Sequence, residues 1–303
     1  MNLKSQLLYS QNWNIGFCEQ TPDELIALKK LKKVQWMKHP YRDRWFADPY
    51  IYKVTDDEIV VFVEECPIVN PKGILCELHL DRKTKRLKER FVLLELDTHL
   101  SYPAIIEHDG KTYVYPENGA SGRLYIYEYD AENHRLVNPR CILDEALADS
   151  TILKHEDKYY LIATKVPETQ EKAYLYESNS LFGPYTQLSE APVQSGRDCS
   201  RPAGNWFKAL GQLYRPSQNC IGNYGAAISI MSVGELTPWS EEMLFAVKPL
   251  CFRYNRGIHT INFAANSDSE PGVCVVDSYG YLHPFIGNSY KFCSYIKREV
   301  LHI

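Results

Sequence analysis

The feature that most constrains this 303-residue chain is a hairpin-like unit that occurs five times. Each unit opens with a small or charged residue, continues as a short apolar strand, turns through polar residues and returns as a second strand. The clearest copy spans residues 101–117, and its polar turn contains Gly110, which suits a β-hairpin. Because the two ends of a hairpin meet at one edge, the pattern predicts that Tyr102 and Glu117 lie close together.

The units are spaced as the blades of a β-propeller are. Taking the opening residues as equivalent gives steps of 54, 47, 52 and 58 residues, from Asp48 through Tyr102, Asp149, Arg201 and His259. Four-stranded blades need about 40–50 residues each plus insertions. The sequence therefore predicts an all-β fold, a five-bladed β-propeller forming one domain over residues 1–303, with blades that begin near 45, 100, 148, 200 and 257. A β-sandwich, the alternative, explains short strands but not five matched openings.

The first 40 residues do not follow the repeat and are interpreted as an N-terminal extension that packs on the propeller or helps to close it. Thr21-Pro22-Asp23-Glu24 has the pattern of a helix start, with Thr as N-cap, Pro at the first position and Glu at the third. This helix is predicted to run to about Lys33. Almost no other stretch has a strong helical period.

Composition and charge argue against several classes of function. The net charge of −4 does not suit binding to nucleic acid or to an anionic membrane surface. No apolar run reaches membrane-spanning length, and residues 1–9 lack the apolar core of a signal peptide. Nine scattered cysteines without a Cys-x-x-Cys pair indicate reduced thiols, not a disulfide framework or a zinc site. We therefore expect a cytoplasmic protein without a transmembrane segment; its oligomeric state stays open.

The repeat geometry predicts a binding site at one mouth of the propeller channel. The opening residues of the five inner strands should ring that mouth, together with the last residues of their hairpin partners. Burying ionisable groups near a narrow axis is costly without a partner or a ligand. Asp48 and Asp149 are candidates for a base or charge stabiliser, and Glu117 for a general acid if burial raises its pKa.

Other residues of this mouth are predicted to contact the ligand. Arg201 and Arg215 suit a carboxylate, a phosphate or sugar hydroxyls. Trp45 and Tyr102 are the best placed platforms for a sugar ring. The full set of predicted ligand-contacting residues is Trp45, Glu65, Tyr102, Lys165, Arg201, Arg215, His259 and Asp277.

Several motifs, taken together, resemble those of a known family. They are Trp45-Phe46-Ala47-Asp48-Pro49, Leu100-Ser101-Tyr102-Pro103, Pro116-Glu117, Ala148-Asp149-Ser150-Thr151, Ser200-Arg201-Pro202-Ala203-Gly204, Arg215-Pro216-Ser217-Gln218-Asn219-Cys220 and Tyr224-Gly225. Over about residues 40–280 the chain is similar to the propeller domain at the N-terminus of plant glucosamine inositolphosphorylceramide transferases. That family belongs to the wider five-bladed superfamily of arabinanases, xylosidases and invertases.

The resemblance implies roles for some residues. In those glycosidases a first-blade Asp is the base or nucleophile, and Asp48 matches it by motif, whereas a third-blade Asp that orients the site and tunes the acid matches Asp149. Their fourth blade opens with a Glu as general acid, but this chain has Arg201 there. Ordinary glycoside hydrolysis would then need Glu117 or Glu65 as a substitute acid, or a leaving group that needs no proton, such as a sugar phosphate.

The fifth blade bears on cofactors. In the glycosidases a fifth-blade His can face an axial ion or water, and His259 could do the same. A hydrogen-bonded structural histidine is the favoured interpretation, so no metal or other cofactor is predicted.

The leading hypothesis is a carbohydrate-active protein that helps to assemble a glycan or glycoconjugate by glycosyl transfer or a related step, with a sugar or sugar phosphate as ligand. One alternative is a glycoside hydrolase with a relocated general acid. Another is a non-catalytic sugar-binding or scaffold propeller, because fold does not determine function. The absence of a Gly-rich phosphate loop weakens the case for a self-contained nucleotide-sugar transferase.

Overall fold

The computed structural model describes residues 11–249, 253–264 and 272–296. In chain order its elements are β1 (Gln11–Glu19), α1 (Pro22–Leu28), β2 (Gln35–Trp36), β3 (Arg44–Val54), β4 (Glu58–Pro67), β5 (Ile74–Asp81), β6 (Leu87–Leu94), β7 (Ser101–His108), β8 (Lys111–Glu117), a 3₁₀ turn (Gly119–Ser121), β9 (Leu124–Asp130), β10 (Arg135–Leu143), β11 (Leu147–His155), β12 (Lys158–Lys165), β13 (Lys172–Ser178), β14 (Thr186–Gln187), β15 (Gln194–Ser195), β16 (Phe207–Ala209), β17 (Gln212–Asn219), β18 (Ala227–Leu236), β19 (Trp239–Val247), β20 (Ile261–Phe263), β21 (Val273–Tyr281) and α2 (Pro284–Tyr295).

These strands form five antiparallel sheets, which confirms the predicted all-β, five-bladed propeller. Blade 1 has the order β3-β4-β5-β6, blade 2 β7-β8-β9-β10, and blade 4 β16-β17-β18-β19. Blade 3 has β11-β12-β13-β14, with β15 also paired to β13. The first-named strand of each blade lies nearest the axis. In blade 2 the register pairs Ser101 with Glu117, so the two ends of that hairpin meet as predicted.

Blade 5 is built from both ends of the described chain. Its order is β20-β21-β1-β2, and nine residues of β1 pair with β21, from Gln11 opposite Tyr281 to Glu19 opposite Val273. Residues 11–19 are therefore a strand of a blade and not only an extension. This pairing closes the ring with main-chain hydrogen bonds.

The hydrophobic core lies between the blades. Alternate residues of each strand point to opposite faces of its sheet, and the apolar faces of neighbouring blades meet in five clusters, one at each interface. Phe62 and Leu75 of blade 1, for example, pack with Val114 and Tyr127 of blade 2. Helix α1 adds Leu25 to the interface between blades 4 and 5. Inter-blade burial, together with the closure through β1, holds the five sheets in a ring.

The helices differ from the prediction at their ends. Thr21 and Glu24 form the expected capping box, but α1 stops at Leu28 and not near Lys33. Lys29 adopts the left-handed conformation with φ of 52° and donates its N–H to Leu25, a standard helix stop. Helix α2 was not predicted. No helix within the described ranges is both long and apolar enough to span a membrane.

The inner strands of blades 4 and 5 are shorter than predicted. Residues 200–204 and 257–260 lie outside the regular strands and contribute only single bridges, one between Pro202 and Ser217 and one between Gly257 and Tyr279. Pro202 has no N–H to donate to a ladder. Gly204 has φ of 134°, and a Cβ there would lie 2.0 Å from the carbonyl oxygen of Ile261. These two residues explain why the fourth blade opens as an irregular segment that presses against the fifth.

Candidate functional site

The inner strands of the first three blades open with the same backbone irregularity. Asp48, Tyr102 and Asp149 all lie in the left-handed region, with φ of 50°, 47° and 48°. The register of each inner strand shifts at that point, as at a β-bulge. Non-glycine residues seldom adopt this conformation, so its recurrence at three sequence-equivalent positions shows that the repeat is structural.

Carboxylates of the preceding blade accept the N–H groups of these residues. The N–H of Asp48 donates to Asp277 Oδ2 at 3.0 Å, and that of Tyr102 donates to Asp48 Oδ2 at 3.1 Å. The N–H of Asp149 donates to Glu117 Oε2 at 3.3 Å. Each carboxylate therefore links two blades, which is a structural role in addition to any chemical one.

The ionisable groups at this mouth form a cluster that we call the axial site. Its members are Asp48, Glu117, Asp149, Arg201, His259 and Asp277. All were predicted from the sequence. The carboxylate side chains of Asp149 and Asp277 are 3% and 0% exposed, whereas that of Glu117 is 19% exposed. Glu117 is therefore the most accessible carboxyl group among these three.

Arg201 connects two carboxyl groups of the axial site. Its Nε lies 2.5 Å from Asp149 Oδ2, and its Nη2 lies 3.2 Å from Glu117 Oε2. Gln218 Nε2 donates to the same oxygen of Asp149 at 2.6 Å. A cation thus stands where the glycosidase pattern would place an acid, and it is held by the two carboxyl groups that flank it.

The pKa values of these two carboxyl groups are driven apart. Burial, with the negative charge of Asp149 beside it, raises the pKa of Glu117 well above its ordinary value. Burial would also raise the pKa of Asp149, but the Arg201 guanidinium and the hydrogen bond with Glu117 bring it below its ordinary value. Within this pair, a proton is therefore held more readily by Glu117 than by Asp149.

Asp48, His259 and Asp277 form the other half of the axial site. His259 Nδ1 lies 2.6 Å from Asp277 Oδ2, and its Nε2 lies 3.7 Å from Asp48 Oδ1. Burial would lower the pKa of His259, but the carboxylates of Asp277 and Asp48 raise it to about 9. Burial raises the pKa of Asp48 to about 7 although the charge of His259 opposes this. Asp48 is thus able to gain or lose a proton near neutral pH.

This half of the site also bears on a possible axial ion. Ligand atoms of Asp48, His259 and Asp277 lie within 4.8 Å of one another. However, Asp277 already accepts the N–H groups of Asp48, His259 and Thr260, each at 3.0 Å. Asp48 Oδ1 also accepts the Thr260 hydroxyl at 2.7 Å. An ion would compete with these donors, so the contacts favour a hydrogen-bonded structural histidine.

Aromatic rings cover His259 and Arg201. Trp13 stacks on His259 with centroids 4.1 Å apart, and Tyr224 meets the same ring edge-on at 5.3 Å. The guanidinium of Arg201 lies 5.5 Å from the Tyr224 ring centre. Trp45, a predicted sugar platform, is partly buried and packs on this aromatic cluster. Trp13 was missed because it arrives on β1, whose pairing with β21 is not encoded in the repeat spacing.

Tyr102 is not a surface platform for a ligand. Its side chain is fully buried, and its hydroxyl lies 3.0 Å from Thr151 Oγ1 and accepts the N–H of Gly204 at 2.6 Å. The ring therefore ties blade 2 to blades 3 and 4 at the axis. Sequence spacing located its backbone correctly. The left-handed conformation, however, directs the side chain into the hub, the buried centre where the inner ends of the blades meet.

Arg215 and Glu65 belong to buried ion pairs. Arg215 is fully buried and makes two bonds to Glu241, at 3.0 Å and 2.6 Å. Glu65 is held by Arg44 at 2.6 Å and by two nitrogens of Arg90 at 2.5 Å and 2.8 Å. Neither residue can contact a ligand in this structure, since the Arg215 side chain is 0% exposed and that of Glu65 is 2% exposed.

Lys165 points into blade 3 and not to the axis. Its Nζ lies 2.7 Å from Glu145 Oε2 and 4.6 Å from the ring centre of Tyr174. It also donates to Gln187 on β14 at 2.8 Å. The last residue of β12 thus supports the outer strands of its own blade, which corrects its assignment to the ligand.

Several polar atoms beside the axial site have no hydrogen-bond partner in the described protein. They are Asn118 Oδ1, next to Glu117, Ser150 Oγ, next to Asp149, and Gln218 Oε1, on the amide that holds Asp149. Buried polar atoms normally have a partner. Gln218 Oε1 is thus an acceptor without a described partner beside Asp149, whereas Asn118 and Ser150 are neighbours of the site in sequence.

A groove of about 690 Å³ adjoins the axial site. Trp13 forms part of its wall and stacks on His259 on the axial side. The groove is lined by Asn12, Trp13, Asn14, Met37, Lys38, His39, Pro40, Tyr41, Arg42, Arg253, Tyr254, Leu282 and His283, with no Asp or Glu among them. Its lining is therefore basic although the whole chain carries a net charge of −4.

The fold and the site together define a class: a five-bladed β-propeller with ionisable side chains buried at one mouth of its channel. Residues 31–248 match the family described as glucosamine inositolphosphorylceramide transferase 1, N-terminal, and the chain belongs to that family. The glucosamine inositolphosphorylceramide transferase 1 of Oryza sativa subsp. japonica is 27% identical over 206 residues. That of Arabidopsis thaliana is 28% identical over 206 residues. The chain aligns over 65% of its length with 27% of the rice protein, and over 64% with 26% of the Arabidopsis protein.

Solved structures share the fold at low sequence identity. A thermostable family-43 glycoside hydrolase has a TM-score of 0.55 and 14% identity, covering 78% of this chain and 86% of its own. Zg3597, a family-117 glycoside hydrolase of Zobellia galactanivorans, has a TM-score of 0.55 and 11% identity, with 91% and 92% covered. These likenesses establish the architecture alone.

Proposed function

We propose that this protein acts on a sugar at the axial site and takes part in assembling a glycan or glycoconjugate, by glycosyl transfer or a related step. The observation that carries the proposal is the separation of carboxyl pKa values around Arg201. The pKa of Glu117 is raised well above its ordinary value, that of Asp149 is lowered, and that of Asp48 is raised to about 7. Carboxyl groups with divergent pKa values are typical of acid–base catalysis at a sugar.

In this proposal each residue has a distinct role. Asp48, when ionised, accepts the proton of an acceptor hydroxyl as that hydroxyl attacks the sugar. Asp149 remains an anion and, through Arg201, keeps the carboxyl group of Glu117 in place. Glu117 donates a proton where the leaving group needs one. The polar atoms of Asn118 and Gln218 supply hydrogen bonds to sugar hydroxyls.

The basic groove supports a phosphorylated substrate. Since Arg215 is sealed in an ion pair, the phosphate assigned to it from the sequence needs another site. Lys38, Arg42 and Arg253 line the groove, and none of them has an ion-pair partner among the described residues. A sugar at the axial site could then place its phosphate across Trp13, against these cations. A phosphate leaving group would also lessen the need for a general acid.

The curated relatives are transferases by name, which favours transfer over hydrolysis for this chain. Their names describe proteins of which this chain matches about a quarter. The sugar, the acceptor and the reaction are accordingly part of the proposal and are open to test.

The proposal is tested by turnover of candidate donors. The full chain is incubated with sugar 1-phosphates, nucleotide sugars and oligosaccharides, with and without alcohol acceptors, and products are identified by mass spectrometry. We expect Asp48→Asn and Glu117→Gln to reduce the rate by about 10²–10⁴-fold, the usual contribution of one acid or base. Asp81→Asn is the matched control, because Asp81 is a partly exposed carboxylate at the end of β5.

Two results would overturn catalysis at this site. One is unchanged turnover in Asp48→Asn and Asp149→Asn proteins. The other is saturable binding of sugars by the wild type without turnover of any donor, which would identify a non-catalytic sugar-binding propeller.

Glycoside hydrolysis is the second candidate, and the raised pKa of Glu117 favours it, because a protonated carboxyl group can act as general acid. Hydrolysis of natural oligosaccharides that is lost in Glu117→Gln would support it. Aryl glycosides with activated leaving groups bypass the acid, so they should be cleaved by both proteins. Equal cleavage of natural substrates by both proteins would exclude Glu117 as the relocated acid.

We also propose a cytoplasmic location. The eight cysteines within the described residues are all free, and four of them lie fully buried in strands, as expected of reduced thiols. Fractionation of the source cells, followed by detection of the native protein, tests this location.

A further inference from the structure

A second cluster of histidine and carboxylate groups lies far from the axial site, at the seam between blades 1 and 2. Glu77 and His79 are two residues apart on β5, so they share one face of that strand. His134 comes from the turn between β9 and β10 of the neighbouring blade. Ligand atoms of all three lie within 4.8 Å of one another. We call this cluster the seam site.

The distances at the seam site suit coordination of a small cation. His79 Nε2 lies 2.7 Å from Glu77 Oε1, and His134 Nδ1 lies 3.1 Å from both carboxylate oxygens. Tetrahedral zinc binds nitrogen and oxygen at about 2.0–2.2 Å, which puts neighbouring ligand atoms about 3.4 Å apart. Small movements of the side chains would therefore admit the ion between the three groups.

Neighbouring residues already orient these groups. Glu58 Oε2 lies 3.4 Å from His79 Nδ1, so the ring nitrogen away from the cluster faces a carboxylate. The Tyr129 hydroxyl donates to Glu77 Oε2 at 2.7 Å. Phe91 stacks on His134 with ring centres 3.8 Å apart and an angle of 7°. Such outer contacts fix the tautomer and orientation of metal-binding histidines and carboxylates.

Exposure and charge separate the seam site from the axial site. The Glu77 side chain is 2% exposed, but those of His79 and His134 are 16% and 31% exposed, so the two imidazoles are accessible from solvent. At the axial site, one histidine faces two carboxylates that also accept main-chain N–H groups. At the seam site, two histidines face one carboxylate. A divalent cation is best matched to the second arrangement.

From these observations we propose that Glu77, His79 and His134 bind a divalent transition-metal ion, zinc by ligand chemistry, with water or a further group as fourth ligand. Two imidazoles and one carboxylate are preferred zinc ligands. The ion would tie the outer part of blade 1 to blade 2. Without it the same atoms hydrogen-bond to one another, so folding does not require the metal.

The test is metal binding by the full chain, stripped of metal by chelation and carrying Cys141→Ser and Cys293→Ser to remove the exposed thiols that the structure describes. Zinc is titrated by calorimetry, and cobalt(II) absorption reports the ligand geometry. We expect one zinc ion per chain in the parent protein. Glu77→Gln and His134→Asn should weaken binding by at least about 10–100-fold, the range seen when even outer-shell partners are changed.

Asparagine is chosen at 134 because His134 has φ of 49°, a conformation that asparagine tolerates. His155→Gln is the matched control, since His155 is exposed in a strand of blade 3. His259→Gln controls for binding at the axial site. Zinc should also raise the melting temperature of the parent and of both control proteins, but not that of the seam variants.

The proposal is overturned if the parent binds no zinc, or if Glu77→Gln and His134→Asn bind it as the parent does. Loss of binding in His259→Gln, with the seam variants unaffected, would place the ion at the axis and also overturn it. Circular dichroism of each variant confirms that it is folded, and His79→Gln replaces any variant that is not.

Discussion

Two arginines of the fourth blade, Arg201 and Arg215, are both buried and paired with carboxylates, yet their surroundings assign them different roles. Arg215 and its partner Glu241 are 0% and 1% exposed, and two carbonyl groups, those of Cys199 and Ser200, accept two further N–H groups of Arg215. Arg201 is 10% exposed and holds Asp149 and Glu117. It lies beside Tyr224, in the aromatic lining of the mouth.

The difference shows what makes a buried charge functional. The pair of Arg215 and Glu241 is fully buried, and the acceptors that Arg215 contacts all belong to blade 4. A ligand therefore cannot reach it. The Arg201 pair is shared between two carboxyl groups of unequal pKa, and atoms beside it, such as Gln218 Oε1, have no partner within the described protein. Residual hydrogen-bonding capacity, not charge by itself, separates the candidate site from an ion pair of the core.

The largest effect on stability is expected at the buried pair of Arg215 and Glu241. Arg215→Met should lower the free energy of unfolding by about 3–5 kcal/mol, because Glu241 would be left buried without a partner. Urea unfolding of purified protein measures this loss. The double variant Arg215→Met, Glu241→Leu should recover most of it, since replacing a whole buried pair with apolar groups is nearly neutral. If the single variant is as stable as the parent, the pair is not sealed as described.

A smaller loss of stability is expected at Arg201, which pairs with Asp149 and Glu117. Arg201→Met should cost about 1–3 kcal/mol of unfolding free energy, because Gln218 still donates to Asp149 and the raised pKa of Glu117 lessens its need for a cation. It should nevertheless abolish sugar binding, measured by calorimetry, whereas the stabilised double variant at 215 and 241 should bind normally. The opposite pattern of binding would reverse our assignment of the two arginines.

Tyr102 provides an uncharged comparison with the ion pairs of Arg201 and Arg215. Tyr102→Phe removes the hydroxyl that accepts from Gly204 and lies beside Thr151. We expect a loss of about 1 kcal/mol in unfolding free energy, the typical net value of a buried hydrogen bond. Sugar affinity should be unchanged, because the ring faces the hub and not the ligand. A selective loss of affinity at full stability would restore Tyr102 as a ligand-binding residue.

Protein stability should also depend on pH through His259. The pKa of His259 is raised to about 9 in the folded protein, against an ordinary value of 6.5. The folded state therefore holds a proton that the unfolded state releases, so stability should fall as the pH rises from about 6.5 to 9. Thermal unfolding across that range measures the fall, which should be shallower in His259→Gln. An identical pH profile in both proteins would contradict the charged state of His259.

Much of the candidate site could be predicted from the repeat. Equivalent positions in successive blades must meet at one mouth of a propeller, so Asp48, Asp149, Arg201 and His259 were found from spacing alone. Glu117 followed from the hairpin, whose ends pair at one edge. Of the assignments that the structure corrects, Arg215, Glu65 and Lys165 lie on second strands, whereas Tyr102 lies on a first strand with its side chain buried. On the second strands, a shift of one residue decides whether a side chain faces the axis or a neighbouring strand.

The sequence by itself determined the architecture, the five blade openings and the residues that ring the mouth, because strand period and repeat spacing are local properties of the chain. Only the tertiary structure decided which of those charged side chains are held by partners within the fold. Glu241, the partner of Arg215, lies 26 residues away along the chain, and Gly204, a partner of Tyr102, lies 102 residues away. Side-chain direction at the left-handed bulges, the closure by β1 and the seam site all depend on such distant contacts, which no local pattern records.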